Sequence, residues 1–168
     1  MKYLDTLPIF RHFPDMDRID RKICAIVQAD AKRPTAAIAE AVGLPLSTAA
    51  DRLKRLQASG AIRGFHAALD PDTLGAGLCA FVLVDMAFDG EAEAVAALAA
   101  EAEVQELHHI SGPHSYLMKL RLADMPALQA FLTDRVKPLA AVTRTETILA
   151  LDTVKETAAL GLRTGDRP

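Results

Sequence analysis

Along the first third of the chain, apolar residues recur three and four positions apart, the period of one helix face. Ile19, Ile23, Ile26 and Val27 mark a first helix from Asp17 to Asp30, with Asp17 and Asp20 in the turn where carboxylates suit the dipole. Lys32-Arg33-Pro34 breaks it, and Thr35 is the expected N-cap of a second helix that buries Ile38 and Val42 and stops at Gly43. A third helix begins near Ser47 and ends near Ser59-Gly60. At roughly 100° per residue, Ala49, Leu53 and Leu56 fall on one side of it, and Ser47, Thr48, Asp51, Arg52, Lys54 and Arg55 fill the other. Ala61 to Asp70 then reads as a short strand or wing, and the segment around Pro71 and Gly75-Ala76-Gly77 as a boundary.

Beyond the boundary the period changes. Leu78 to Phe88, Val104 to Ile110, Ser115 to Leu122 and Val142 to Leu151 read as strands. Glu91 to Glu103 is an Ala-rich helix. A second helix, capped by Asp124 and ended by Pro138, buries Leu128, Phe131, Leu132 and Val136. The order βαββαβ is the ferredoxin-like arrangement. The fold class expected is therefore α+β: an extension over 1–16, a winged helix-turn-helix over 17–66, a linker over 67–77, a ferredoxin-like domain over 78–157 and a tail over 158–168. Because the Leu78–Val84 run is apolar on both faces and two helices cover one face only, a second copy of the chain is the expected cover for the other.

Charge sharpens this picture. The 168 residues carry a net charge of −3, which by itself argues against nucleic acid. From Asp17 to His66, however, nine Lys and Arg face five Asp and Glu, whereas from Ala67 onward eight face fifteen. A basic module sits on an acidic body. An apolar-backed helix with hydroxyls and cations in front suits a major groove, where cations meet phosphates and Arg or hydroxyls reach base edges. Ser47, Thr48, Arg52, Lys54 and Arg55, with Arg63 toward phosphate, are the candidate DNA-binding residues. A solvated helix face is the alternative for the cations, and helix capping for the two hydroxyls.

Other chemistry is sparse. His108, His109 and His114 cluster, but adjacent residues on a strand point to opposite faces, and no metal-ligand spacing accompanies them. No metal, cofactor or catalytic constellation is expected. Cys24 and Cys79, each among apolar neighbours, read as buried free thiols in a reducing compartment. With no bilayer-length apolar run and no signal-peptide core, a cytoplasmic chain is expected. Tyr3, Phe10 and Phe13 make the N-terminal extension unusually apolar, so part of it is expected to dock on a partner or on the chain's own fold, with a flexible leader as the alternative.

Four pieces taken in order resemble the Lrp/AsnC family of transcription regulators. They are Asp17-Arg18-Ile19-Asp20-Arg21-Lys22-Ile23, Ile38-Ala39 through Gly43-Leu44, Arg52-Leu53-Lys54-Arg55-Leu56 with Gly60-Ala61-Ile62-Arg63-Gly64-Phe65, and Ser111-Gly112 followed by Tyr116-Leu117-Met118-Lys119. The resemblance implies double-stranded DNA as partner, a small effector, commonly an amino acid, and homodimers that often assemble into octamers. It places the effector at Gly112, Pro113, His114, Ser115 and Tyr116. Two positions depart from the family pattern: Pro45 and Ser115 stand where the family usually has Ser and Asp. Tyr116 either packs within its strand or lies beside the ligand. The rival reading is a tetrapyrrole (sirohaem) decarboxylase-like enzyme, whose architecture is similar and whose substrate carboxylates a basic patch can bind.

Overall fold

The computed structural model describes residues 16–162; the N-terminal aromatics Tyr3, Phe10 and Phe13 lie outside them. In chain order the elements are α1 (Arg18–Ala29), α2 (Thr35–Val42), α3 (Leu46–Ala58), β1 (Leu78–Met86), α4 (Glu91–Ala99), β2 (Val104–His109), β3 (Tyr116–Leu122), α5 (Met125–Phe131) running into a π-helical turn (Leu132–Val136), and β4 (Val142–Leu149). They form two compact units. One ends at Ala67 and takes in the chain again from Thr157; the other is Ala68–Glu156. Thr157, expected as the last residue of the ferredoxin-like domain, and the described part of the expected tail, 158–162, thus group with the helical unit.

The helical unit is built around Ile23, Val27, Ile38 and Leu56, with Ile19, Leu53 and Ile62 packed at its margin. Asp17 caps α1 by accepting the Asp20 N–H at 2.7 Å. Thr35 does not cap α2. It is the first helical residue, and Pro34 is the N-cap, its carbonyl taking the Ile38 N–H at 3.0 Å. Pro45 does the same for α3 through the Ala49 N–H, so α3 begins at Leu46. Proline's fixed φ matches what a helix start requires. α2 ends on Gly43 at φ +70°, and the N–H groups of Gly43 and Leu44 return to the carbonyls of Glu40 and Ala39. That left-handed cap is one that a side chain at 43 would strain.

The expected wing strand does not form. Ile62 returns its N–H to Leu56, and residues 63–70 run exposed without a ladder. A strand needs a partner edge, and among the described residues the helical unit contains no strand.

The second unit is a four-stranded antiparallel sheet in the order β2-β3-β1-β4. Alternation decides its faces. Ala80, Val82 and Val84 of β1 and Met118 and Leu120 of β3 are fully buried against Leu98 of α4 and Leu128, Phe131 and Val136 of the last helical segment. Asp124 caps α5 as expected, accepting the Ala127 N–H at 2.8 Å. α4 stops four residues short of Glu103, because the N–H groups of Ala100 and Glu101 close on carbonyls three residues back and turn the chain into β2. β1 ends at Met86, where the ladder to β4 slips between Asp85 and Met86. The opposite face carries Phe81, Leu83 and Leu117, half-buried, and Ile148, 48% exposed. Leu83 pairs directly with Leu117, and Phe81 with Ile148, so these four side chains form an apolar patch, flanked by Lys119 opposite Phe81 and by Glu146 opposite Leu83.

Candidate functional site

α3 sorts its side chains as the periodicity requires. Ala49 and Leu56 are buried, whereas Ser47, Thr48, Asp51, Lys54 and Arg55 are exposed. Neither Ser47 nor Thr48 caps the helix, since Pro45 holds that position without any side-chain bond. Both hydroxyls therefore remain on the outer face. Arg63 lies exposed beyond the helix and, like Lys54, makes no ion pair among the described residues.

Arg52 departs from the outward row. Its guanidinium donates to Asp17, the N-cap of α1, at 2.5 Å and to Asp20, in the first turn of that helix, at 2.9 Å. Arg55 reaches the second oxygen of Asp20, also at 2.9 Å, although its side chain stays 63% exposed. Asp20 is the buried member, at 4% exposure. A carboxylate removed from water is tolerable because both its oxygens accept charge-assisted bonds. The Asp20 amide, reinforced by Arg52, holds the Asp17 carboxyl below its ordinary value. The same two carboxylates raise the Arg52 guanidinium further above its own. Sequence reasoning assigned Asp17 and Asp20 to the helix dipole only. The available signal was a pair of carboxylates three apart on α1 matched by a pair of arginines three apart on α3.

The β2–β3 connection gathers the second set. Gly112 adopts φ +135°, a conformation that an L side chain strains to reach, with open space where a Cβ would stand. The Ile110 N–H closes the loop on the Ser115 carbonyl at 3.0 Å. Gly112 and Pro113 are exposed, His114 and Ser115 half-buried and Tyr116 buried. His114 Nδ1 lies 3.2 Å from Asp85 Oδ1, and its Nε2 lies 3.7 Å from Glu146 Oε2. Asp85 also accepts the Ser115 N–H at 3.3 Å. Tyr116 stacks on His109 with ring centroids 4.9 Å apart and donates its hydroxyl to Glu91 Oε1 at 2.9 Å. Burial, with the Glu91 carboxylate added, pushes the Tyr116 phenol up to about 12. The loop thus sits among three carboxylates, Asp85, Glu91 and Glu146, which suits a ligand bearing an ammonium group. None of the three was singled out from sequence, because each lies more than twenty residues from the loop. His108 turns the other way, toward Glu106 at 3.1 Å. Among the described residues no group of His, Cys, Asp and Glu is arranged to hold a metal, and no helix is long and apolar enough to cross a membrane.

Comparison with known proteins matches both halves. Residues 16–57 match the AsnC-type helix-turn-helix domain, and residues 79–160 the Lrp/AsnC ligand binding domain. The HTH-type transcriptional regulator FL11 of Pyrococcus abyssi is 34% identical over 148 residues, covering 88% of this chain and 97% of the relative. The leucine-responsive regulatory protein of Salmonella typhimurium is 34% identical over 153 residues, covering 89% and 93%. Among solved structures, a Neisseria meningitidis transcriptional regulator in complex with L-Met superposes with a TM-score of 0.80 at 28% identity, covering 87% of this chain and 96% of that one. An AsnC family transcriptional regulator from Agrobacterium tumefaciens gives 0.81 at 28% identity, covering 88% and 97%. These relatives are regulators and not decarboxylases, so the enzyme alternative falls. With a DNA-binding helix-turn-helix ahead of a ligand-binding ferredoxin-like unit, and 34% identity to these regulators over 88% and 89% of its length, the chain belongs to the Lrp/AsnC family of transcription regulators.

Proposed function

We propose that the chain binds double-stranded DNA as a homodimer, laying α3 of each copy into one of two major-groove half-sites about one helical turn or a small multiple apart. The observation that carries this is the outer row of α3: Ser47, Thr48, Lys54 and Arg55 are exposed while Ala49 and Leu56 are buried. Ser47 and Thr48 reach base edges, Lys54, Arg55 and Arg63 meet phosphate, and Arg52 acts by fixing α3 against α1. The apolar patch of Phe81, Leu83, Leu117 and Ile148 supports sheet-on-sheet dimerisation. An octamer is the higher assembly the resemblance implies. A cytoplasmic location follows from the DNA partner.

The effector is an amino acid held by Gly112, Pro113, His114, Ser115 and Tyr116 at an interface between copies. The carboxylates around the loop support an ammonium-bearing ligand, and the Neisseria relative binds L-Met. Such a ligand changes DNA affinity only by favouring one assembly or orientation over another.

The test is a mobility shift on the chain's own upstream region across a salt series, paired with a thermal-shift screen of the twenty amino acids. A retarded complex that weakens steeply with salt, and one or a few amino acids that raise Tm, are the expected results. Salt-independent binding removes the α3 assignment, and twenty unchanged melts remove the amino-acid effector.

A further inference from the structure

Asp20 is held from every side. Its own N–H is tied to the Asp17 side chain at 2.7 Å, its side chain is 5% exposed, and each of its oxygens accepts one arginine at 2.9 Å, Oδ1 from Arg52 and Oδ2 from Arg55. The two arginines differ in what else they do. Arg52 is 23% exposed and also holds Asp17, so it is engaged within the helical unit. Arg55 is 63% exposed and, among the described residues, pairs with Asp20 alone. Asp51 stands four residues ahead of Arg55 on α3, the spacing at which a carboxylate and an arginine meet on one helix. The bond nonetheless goes to Asp20, 35 residues away.

That bond uses one of the five N–H donors of a guanidinium. An arginine loose in water spreads over many rotamers; this one is pinned at its head to a carboxylate that is itself buried. Letting go is unfavourable, because Oδ2 of Asp20 would be left without a donor and out of water. Arg55 therefore meets a phosphate while it stays on Asp20. It sits in the last turn of α3 and Thr48 in the first, about 10 Å apart along the axis. A backbone grip at one end of the helix thus sets where the hydroxyls at the other end come down.

We infer that Asp20 is a specificity-determining residue for DNA: it holds Arg55 at one setting on the outer face of α3, so that the phosphate Arg55 grips fixes the register in which Ser47 and Thr48 meet the bases. This rests on the DNA-binding reading of α3 given above, and Asp20 acts in it as a positioning residue. A phosphate contact carries no sequence information by itself but sets register and orientation. Released from Asp20, Arg55 grips a range of phosphates, α3 settles in several registers, and different duplexes become more alike to it. Charge pulls the same way: without the Asp20 carboxylate, the face of α3 attracts any duplex more strongly. Discrimination falls while raw attraction does not.

The test is a mobility shift of the full chain on two duplexes, its own upstream region and a scrambled duplex of equal length and composition. Asp20→Asn is expected to lower the ratio of the two affinities by about five- to tenfold and to bind the scrambled duplex no more weakly than the native chain does. A merely structural role for Asp20 lowers both affinities together. In the Arg55→Ala background, Asp20→Asn should leave the ratio where Arg55→Ala put it, since no aimed arginine remains. Arg55→Lys, at an exposed position, keeps the charge but not the planar fork. It too is expected to lower the ratio with scrambled binding retained, and it decides alone should Asp20→Asn fail to fold. A native chain without preference for its upstream region, an unchanged ratio in either variant, an equal loss on both duplexes, or an Asp20→Asn effect as large without Arg55 as with it would each overturn the proposal. Discrimination that survives Asp20→Asn removes this inference alone; a native chain that retards neither duplex removes the DNA-binding reading and this inference with it.

Discussion

Truncating Asp20 to Ala tests whether Arg52 serves the fold or the duplex. The substitution removes two charge-assisted bonds of 2.9 Å, one from Arg52 and one from Arg55. The Arg55 head group is largely exposed and recovers water, so its share is about 0.5–1 kcal/mol. Arg52 keeps Asp17 but loses a bond to a buried partner, about 1.5–2 kcal/mol. Against this, the variant no longer removes a carboxylate from water, an offset of about 1 kcal/mol. The net expectation is a loss of about 1–2 kcal/mol, read as a lower midpoint in urea with unchanged slope. Arg52→Ala should cost a similar amount, and the double variant should fall short of the sum by about 1 kcal/mol, because the two side chains share one contact. Operator binding supplies the second arm. A phosphate contact contributes about 0.9 to the slope of log K against log salt. Because each half-site of the homodimer loses one contact, Lys54→Ala and Arg55→Ala should each lower that slope by about twice this amount, and Arg52→Ala should leave it unchanged. An Arg52→Ala protein that is fully stable yet loses about two units of salt slope refutes the reasoning.

Four further outcomes follow from the geometry. The difference in phenolate absorbance between the native chain and Tyr116→Phe should titrate near 12. Since that folded value lies above the ordinary 10, the associated stability is complete below pH 10 and is lost as pH rises toward 12; a difference titration centred at 10 would show that Glu91 and burial do not act on the ring. Asp17, Glu106 and Glu156 are all held below their ordinary values, Asp17 chiefly by the Asp20 amide, Glu106 by His108 and Glu156 by Lys119. Their stabilisation is present above those ordinary values and fades as pH falls through the lower folded ones, so Tm should drop between about pH 5 and 3. Gly112→Ala meets no neighbour within 4 Å, so its cost is backbone strain alone, about 1–2 kcal/mol by thermal melt. Leu117→Asp places a charge in the apolar patch and should shift sedimentation at micromolar concentration from dimer to monomer; an unchanged profile would move the dimer interface elsewhere.

What was legible in the sequence was local. The α3 pattern follows from a 3.6-residue period, and its buried Ala49 and Leu56 lie where that period puts them. Gly43 was readable as a left-handed cap and Asp124 as a side-chain cap, because each acts within four residues of itself. Thr35 was misassigned because proline, which has no capping side chain, nonetheless sets the φ that starts a helix. The illegible parts are non-local. Arg52 meets Asp20 across 32 residues, and His114 meets Asp85 across 29, and no periodicity carries that information. The stretch 61–70 shows the limit of alternation: a pattern can mark residues fit for a ladder without supplying the edge they need.

The way Thr157 rejoins the helices has a practical consequence for anyone wishing to recombine this regulator. Its reading head is not a bead that one scission at Ala67 would detach. An N-terminal fragment would leave the Gln28 amide facing solvent where Leu160 had been. A chimaera that transplants the head onto a foreign sensor must therefore carry two splice points, one on each side of the sheet it leaves behind.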